Sequence, residues 1–174
     1  QSQDGHCGTN RVYQDLQILH PEIIKDQQVQ EKFIQDFTTN YSKSRQATYI
    51  IPVVVHIFHN YGIENIPDAN VYDMIRIVNE DFQANQPDTN QIAPLFKPIL
   101  GGLDIEFRLA TKDPNGNCTN GINRVYDPVY TNEGGYVNGN ISNPAPVRWP
   151  RNKYLNIWVV NLIDNNGQFL GYSA

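Results

Sequence analysis

Apolar and polar positions along this chain fall into a few distinct patterns. Residues 49–58 are β-branched and aromatic almost without interruption, from Tyr49 and Ile50 through Val53, Val54 and Val55 to Ile57 and Phe58. That reads as a buried strand, with Pro52 best tolerated at an edge or irregular position because it brings no N–H. Val71, Met74, Ile75, Val78 and Phe82 then recur at helical spacing. They predict a helix opened by Pro67-Asp68, with Asp68 as its N-cap, and ending near Ala84 ahead of Pro87. Residues 103–109 alternate apolar and polar with period two, the pattern of a half-buried strand, and residues 154–160 read as another buried strand. Between these, residues 113–117 (Asp-Pro-Asn-Gly-Asn) are a turn signal and residues 121–126 a short extended segment. Residues 131–146, rich in Gly, Asn and Pro, are expected to form a long surface excursion.

The first 45 residues form a leader of different character. Ile23, Val29, Phe33, Ile34 and Phe37 sit at roughly helical spacing within residues 21–37, which predicts an amphipathic helix lying on something. Polar residues 38–46 follow, with Lys43-Ser44-Arg45 as an exposed basic site suited to proteolytic nicking. The order strand, helix, strand, loop, strand gives an α/β (α+β) fold class, a mixed sheet with a backing helix, preceded by a helical segment. The division expected is residues 1–45 and residues 46–174.

Composition narrows the function. The chain has 174 residues, 40% hydrophobic and 18% charged, with a net charge of −5 and scattered Lys and Arg. This suits a folded, water-soluble domain and gives no support for nucleic-acid binding. The longest apolar runs are too short for a membrane span. Abundant Asn, Gln, Tyr and Thr with sparse Lys points outside the cell. Cys7 and Cys118 allow one disulfide at most.

Local chemistry is thin. His56 and His59 have HxxH spacing, but residues three apart on a strand point to opposite faces, so one is expected toward the core and one outward. There is no HExxH and no G-x-S-x-G. Glu80-Asp81 read as a solvated or structural pair, and Asp104 and Glu106 as the polar outer face of a strand. Residues 113–120 lack the calcium-loop frame and read as a turn. Cys7 stands alone ahead of the folded body, where a thiol can crosslink, react or plug a metal site.

Several blocks taken together resemble one family. They are residues 51–57, Val78-Asn79-Glu80-Asp81-Phe82, Phe107-Arg108-Leu109-Ala110 with Asp113-Pro114-Asn115-Gly116, Thr119-Asn120-Gly121-Ile122-Asn123-Arg124, residues 153–159 and Leu170-Gly171-Tyr172. In order and spacing they are similar to the pappalysin-family metzincins, secreted zinc endopeptidases, and Cys7-Gly8-Thr9 resembles the short cysteine motif of their pro-segments. The resemblance implies that residues 46–174 are the N-terminal subdomain of a metzincin catalytic domain, a twisted mixed sheet with a backing helix, and residues 1–45 its pro-segment. It implies Leu170, Gly171 and Tyr172 at a substrate-cleft rim that takes peptide by strand addition. It further implies Cys7 as a switch ligand to zinc in the zymogen, and activation by cleavage at Arg45 and Gln46. The family's zinc-binding HExxHxxGxxH helix would follow Ala174. No catalytic residue is therefore expected within this chain, which alone should be inactive, and its partner would be the C-terminal half of the catalytic domain. Zinc is the implied cofactor, with calcium a second ion the family allows. A disulfide between Cys7 and Cys118 is the alternative role for the leader thiol, and a non-catalytic secreted binding or adhesion module, using tyrosines from Tyr126 to Tyr136, the alternative function.

Overall fold

A computed structural model describes residues 6–7, 9–40, 48–133, 147–163 and 169–171. The chain divides into two compact units, one made of Gln46–Tyr126 and Val147–Val159, the other of Gln1–Arg45, Asp127–Pro146 and Val160–Ala174.

The first unit is built around one long strand. To number the elements in chain order, β1 is His6–Cys7, α1 Thr9–Leu19, α2 Glu22–Asn40, β2 Tyr49–His59, α3 Asp68–Phe82, β3 Ile105–Leu109, β4 Ile122–Tyr126, α4 Tyr130–Glu133, β5 Leu155–Val159 and β6 Phe169–Gly171. Strand β2 pairs in parallel with β3 over Tyr49–Val53, with β4 over Val55–His59 and with β5 over Val53–Ile57. The Tyr49 N–H donates to the Asp104 carbonyl, the Ala110 N–H to Val53, and the Val55 N–H to Gly121. Odd residues of β2 thus bond toward β3 and β4, which line one edge end to end, and even residues turn toward β5. Pro52 is therefore aimed at the β5 edge one residue before that pairing begins at Val53. A mid-strand proline costs no ladder bond there, which resolves its place in so regular a run.

Between β3 and β4 the chain leaves the sheet and returns. Residues 111–120 fold back on themselves, with Lys112 bridged antiparallel to Cys118 and the Thr119 N–H donating to Thr111. The expected turn sits at the tip. There the Asp113 carboxylate accepts the N–H groups of Asn115 (2.9 Å) and Asn117 (2.8 Å) and the Asn117 side-chain amide (3.0 Å). Gly121 makes the return possible. Its φ is +75°, and a Cβ there would stand 2.8 Å from both the Ala110 nitrogen and the Leu109 Cβ. Only glycine meets both conditions.

Strand β2 is buried on both faces, as parallel strands covered on two sides are. Val53, Val55 and Ile57 join Val71 of α3 and Phe107 of β3 in one core, flanked by Met74, Ile75 and Val78. Val54, His56 and Phe58 on the other face are also fully buried. The expected strand–helix–strand layer is present, and every described pairing in the four-stranded sheet is parallel. One local expectation is corrected: Pro67 is the N-cap of α3 and makes no side-chain cap. Asp68 is instead the first helical residue, because its carboxylate is taken by Arg124 at 2.5 Å, where it also favours the positive helix end. Arg124 further donates to the Asn65 side chain and the Ile66 carbonyl, tying β4 to the helix start.

The second unit holds the leader. Helix α2 matches the expected amphipathic segment, but it is preceded by α1, which the sequence pattern did not suggest. The two are joined by a hydrogen bond from the Tyr13 hydroxyl to Gln27. No described residue of α2 is buried: Phe33 and Phe37 stack on each other at 6.0 Å yet stay more than half exposed. In the same unit the Asp127 carboxylate accepts the N–H groups of Val129 and Tyr130 at the start of α4. The Thr131 carbonyl accepts those of Asn161 and Leu162. Among the described residues no helix is long and apolar enough to cross a membrane.

Candidate functional site: a leader strand paired with β6

Strands β1 and β6 carry the residues for which the sequence suggests a role. They pair in parallel, His6 opposite Phe169 and Cys7 opposite Gly171, with a register irregularity between His6 and Cys7. Leu170 and Gly171 thus lie on a strand whose partner is the leader, and Cys7 sits in that partner. A bare strand edge is a row of unpaired N–H and C=O groups that any extended peptide can occupy. The leader backbone fills one such edge of β6. Gly171 has open space where a Cβ would be. Tyr172, Arg45 and Gln46 lie outside the described residues.

Cys118, the other cysteine, carries a free and exposed thiol at the end of the 111–118 loop. Among the described residues no three His, Cys, Asp or Glu side chains gather where they could hold one ion. The described residues by themselves do not make up a zinc site.

The two strand histidines show why. They stand on opposite faces of β2, as the spacing demands, but both are buried: His56 is 0% exposed and His59 6%. The outward place expected for one of them is wrong. His59 is covered by Tyr61 and Tyr126, whose rings meet it edge-on at 5.1 and 6.2 Å. Its Nδ1 accepts the Tyr61 N–H at 3.3 Å. The loop carrying Tyr61 is tied by Glu64, whose carboxylate accepts the N–H groups of Asn60 (2.6 Å) and Gly62 (3.0 Å). Those backbone donors, Asn60 first, hold the Glu64 carboxyl below its ordinary value. His56 has both ring nitrogens in use, Nε2 donating to the Asn156 Oδ1 at 2.9 Å and Nδ1 accepting from the Asn123 amide at 3.1 Å. Burial lowers its pKa, opposed in part by the Asn156 hydrogen bond. Neither ring has a lone pair left for a shared ion.

The acidic pairs behave as structural groups. Arg76 bonds Asp73 and Glu80 along α3. Arg108 grips Glu106 with two parallel bonds of 2.5 and 2.7 Å, which lower the Glu106 pKa on an exposed face.

Two asparagines that sequence reasoning passed over organise the frame. Asn79 of α3 donates its amide to the Phe107 carbonyl (2.9 Å) and accepts the Phe107 N–H (2.7 Å). Its side chain thus closes the outer edge of β3 as another strand would. Asn156 does the same for Trp149, accepting its N–H at 2.8 Å and donating to its carbonyl at 3.0 Å. Asn79 lies in the Val78–Phe82 block that carries the family resemblance, which is the one signal that could have singled it out.

No protein-family model matches the chain, and neither does any curated protein. Solved structures do. The chain is 31% identical to the Tannerella forsythia promirolysin mutant E225A, with a TM-score of 0.66, over 92% of this chain and 51% of that one. It is 36% identical to T. forsythia mature mirolysin in complex with a cleaved peptide (TM-score 0.53) and to mirolysin in complex with compound 9 (TM-score 0.54). Each of these matches covers 64% of this chain and 42% of the other. The chain spans about half the length of promirolysin, and the α/β architecture described above, with its parallel sheet and preceding helices, is similar to the corresponding part of that proenzyme.

Proposed function

We propose that this chain is the N-terminal part of a secreted zinc endopeptidase zymogen, with residues 1–45 as pro-segment and residues 46–174 as the N-terminal subdomain of a metzincin catalytic domain. The observation that carries the reading is the parallel pairing of β1 with β6. A segment ahead of the main sheet occupies the strand edge on which a substrate peptide would be laid main chain to main chain. The comparisons support it. The match to the pro-form extends over 92% of the chain and that to the mature form over 64%, a difference about the size of the leader. The mature relative was solved in complex with a cleaved peptide, which favours a peptide substrate here as well.

In this reading the chain contributes peptide alignment and latency. Zinc, when bound by the parent protein, supplies the Lewis acid that activates water. Among the described residues no three candidate ligands gather; in this reading the protein ligands are those of the zinc-binding helix that the family resemblance implies. Cys7 is the group that would meet the metal from the leader side, a role for which a thiolate is chemically suited, and cleavage at Arg45-Gln46 would release the leader.

The test uses the zymogen expressed from the whole reading frame. Cys7→Ala should cleave denatured protein before any processing, the wild type only after it, and both should be silenced by a zinc chelator. Sequencing of the matured form should begin at or near Gln46. A Cys7→Ala zymogen as latent as wild type would reject the switch, and chelator-resistant cleavage would reject the metalloprotease.

A further inference from the structure

We infer that His56 is an acid-operated latch: protonation of its ring loosens residues 147–149, a strap that β5 holds through side-chain hydrogen bonds. This stands apart from the proposed protease function and rests on the sheet itself.

The strap consists of Val147, Arg148 and Trp149, runs on into Pro150, and belongs to no strand. Its Pro150 end is anchored by the Lys153 and Tyr154 N–H groups, which donate to the Pro150 carbonyl at 3.0 and 3.1 Å. Ahead of that anchor, three hydrogen bonds with two β5 side chains hold it: the Trp158 Nε1–H donates to the Val147 carbonyl at 3.1 Å, and Asn156 grips both backbone groups of Trp149. The same two side chains enclose His56. Its ring stacks on Trp158 at 6.0 Å, meets Trp149 edge-on at 6.1 Å, and donates to the Asn156 Oδ1 that also receives the Trp149 N–H. A single amide oxygen thus connects a fully buried histidine to the strap.

The pocket is built for a neutral ring. The Asn123 amide donates to Nδ1, so a proton added there would face another donor. The groups facing the ring from each packed element are uncharged: Asn123 from β4, Asn156 and Trp158 from β5, Trp149 from the strap. Arg124 of β4 is turned to Asp68, Arg148 is exposed, and the Tyr154 phenol packs on Trp149 while donating to the Lys112 carbonyl. His59 lies on the other face of the sheet. Among the described residues no carboxylate is placed to compensate an imidazolium, and burial depresses the ring's pKa below its ordinary 6.5. A group with a depressed folded-state pKa stabilises fully above its unfolded value. That contribution is lost as pH falls from 6.5 toward the folded value. The charged ring must then reach water. Asn123, Asn156 and Trp158 stand on strands; Trp149 stands on the strap, which gives way first.

Trp149 and Trp158 are the chain's only two tryptophans, and both rings meet His56, so their emission reports on it. The experiment is a fluorescence titration of the chain from pH 8 to pH 4, with hydrogen exchange of the Trp149 amide corrected for its intrinsic rate. The latch predicts a single-proton change in emission with a midpoint below 6.5. Trp149 protection should fall through the same midpoint by up to about tenfold per pH unit, the slope of one linked proton. Both should vanish in His56→Gln. Should that variant fail to fold, Asn123→Asp serves, since a carboxylate beside Nδ1 should move the midpoint upward. Emission that stays flat to pH 4, a midpoint unmoved by Asn123→Asp, or an emission change with Trp149 protection intact would each overturn the inference.

Discussion

At the scale of single residues, the fold turns on positions where one atom decides. Gly121 marks where the chain rejoins the sheet after the 111–120 loop, with a positive φ and two backbone-proximal atoms inside 3 Å of any Cβ. Gly121→Ala meets a left-handed penalty of about 1 kcal/mol and a clash with the Ala110 nitrogen that only a shift of β3 or β4 relieves. We expect it to destabilise the chain by roughly 2–4 kcal/mol. Gly116→Ala, with positive φ but nothing within 4 Å, should cost about 1 kcal/mol. Denaturant unfolding of the pair checks this, and equal losses would show that close approach adds nothing. Such positions were legible only in part. The turn chemistry of residues 113–117 could be read from Asp, Asn and Gly. The bidentate bonds of Asn79 and Asn156 could not, because an asparagine's long-range partner leaves no local trace.

Among elements, burial and not amphipathic pattern separates what holds the fold from what rides on it. Strands β2 and β5 could be read from nearly unbroken apolar runs, and β3 and helix α3 from apolar positions that repeat with a clear period; of these the structure fully buries Val53, Val54, Val55, Ile57 and Phe58 of β2 and Val71 of α3. Helix α1 escaped notice because Val12, Leu16 and Leu19 are few among polar neighbours. Helix α2 was legible, but its partner was not: its stripe suggested a covered face, and none of its described residues is buried. The same reasoning misplaced His59, which is screened by Tyr61 and by Tyr126 from a distant strand. The contrast is measurable. Ile57→Ala empties a site with 0% exposure between α3 and three strands, and should cost roughly 2–5 kcal/mol. Phe33→Ala removes a ring that is 66% exposed, and should cost less than about 1 kcal/mol. A large loss for Phe33→Ala in a urea titration would mean that α2 has a covered face after all.

Across the whole molecule the two compact units divide the labour unequally with respect to the leader. The clustered core of the sheet unit, Val53, Val55, Ile57, Val71 and Phe107, lies within 46–126. The other unit joins the leader to Asp127–Pro146 and Val160–Ala174, and the described partner of β6 is β1. Removing residues 1–45 should therefore act selectively. Amides at 169–171 should lose protection from hydrogen exchange, because β6 is too short to persist without a partner and its edge is returned to solvent. Amides of β2, whose bonds run to Asp104, Gly121 and β5, should keep theirs. Adding back a peptide of residues 1–20, which contains β1 and α1, should restore protection at 169–171 in proportion to its occupancy, and an unrelated extended peptide should compete with it if the vacated edge accepts strands by main-chain pairing. Uniform loss of protection across both units would mean that the leader is an integral part of the sheet domain. Unchanged protection at 169–171 would mean that the β1–β6 pairing does not hold the rim. Selective and reversible loss is the behaviour required of a segment that occupies a binding edge until it is cut away.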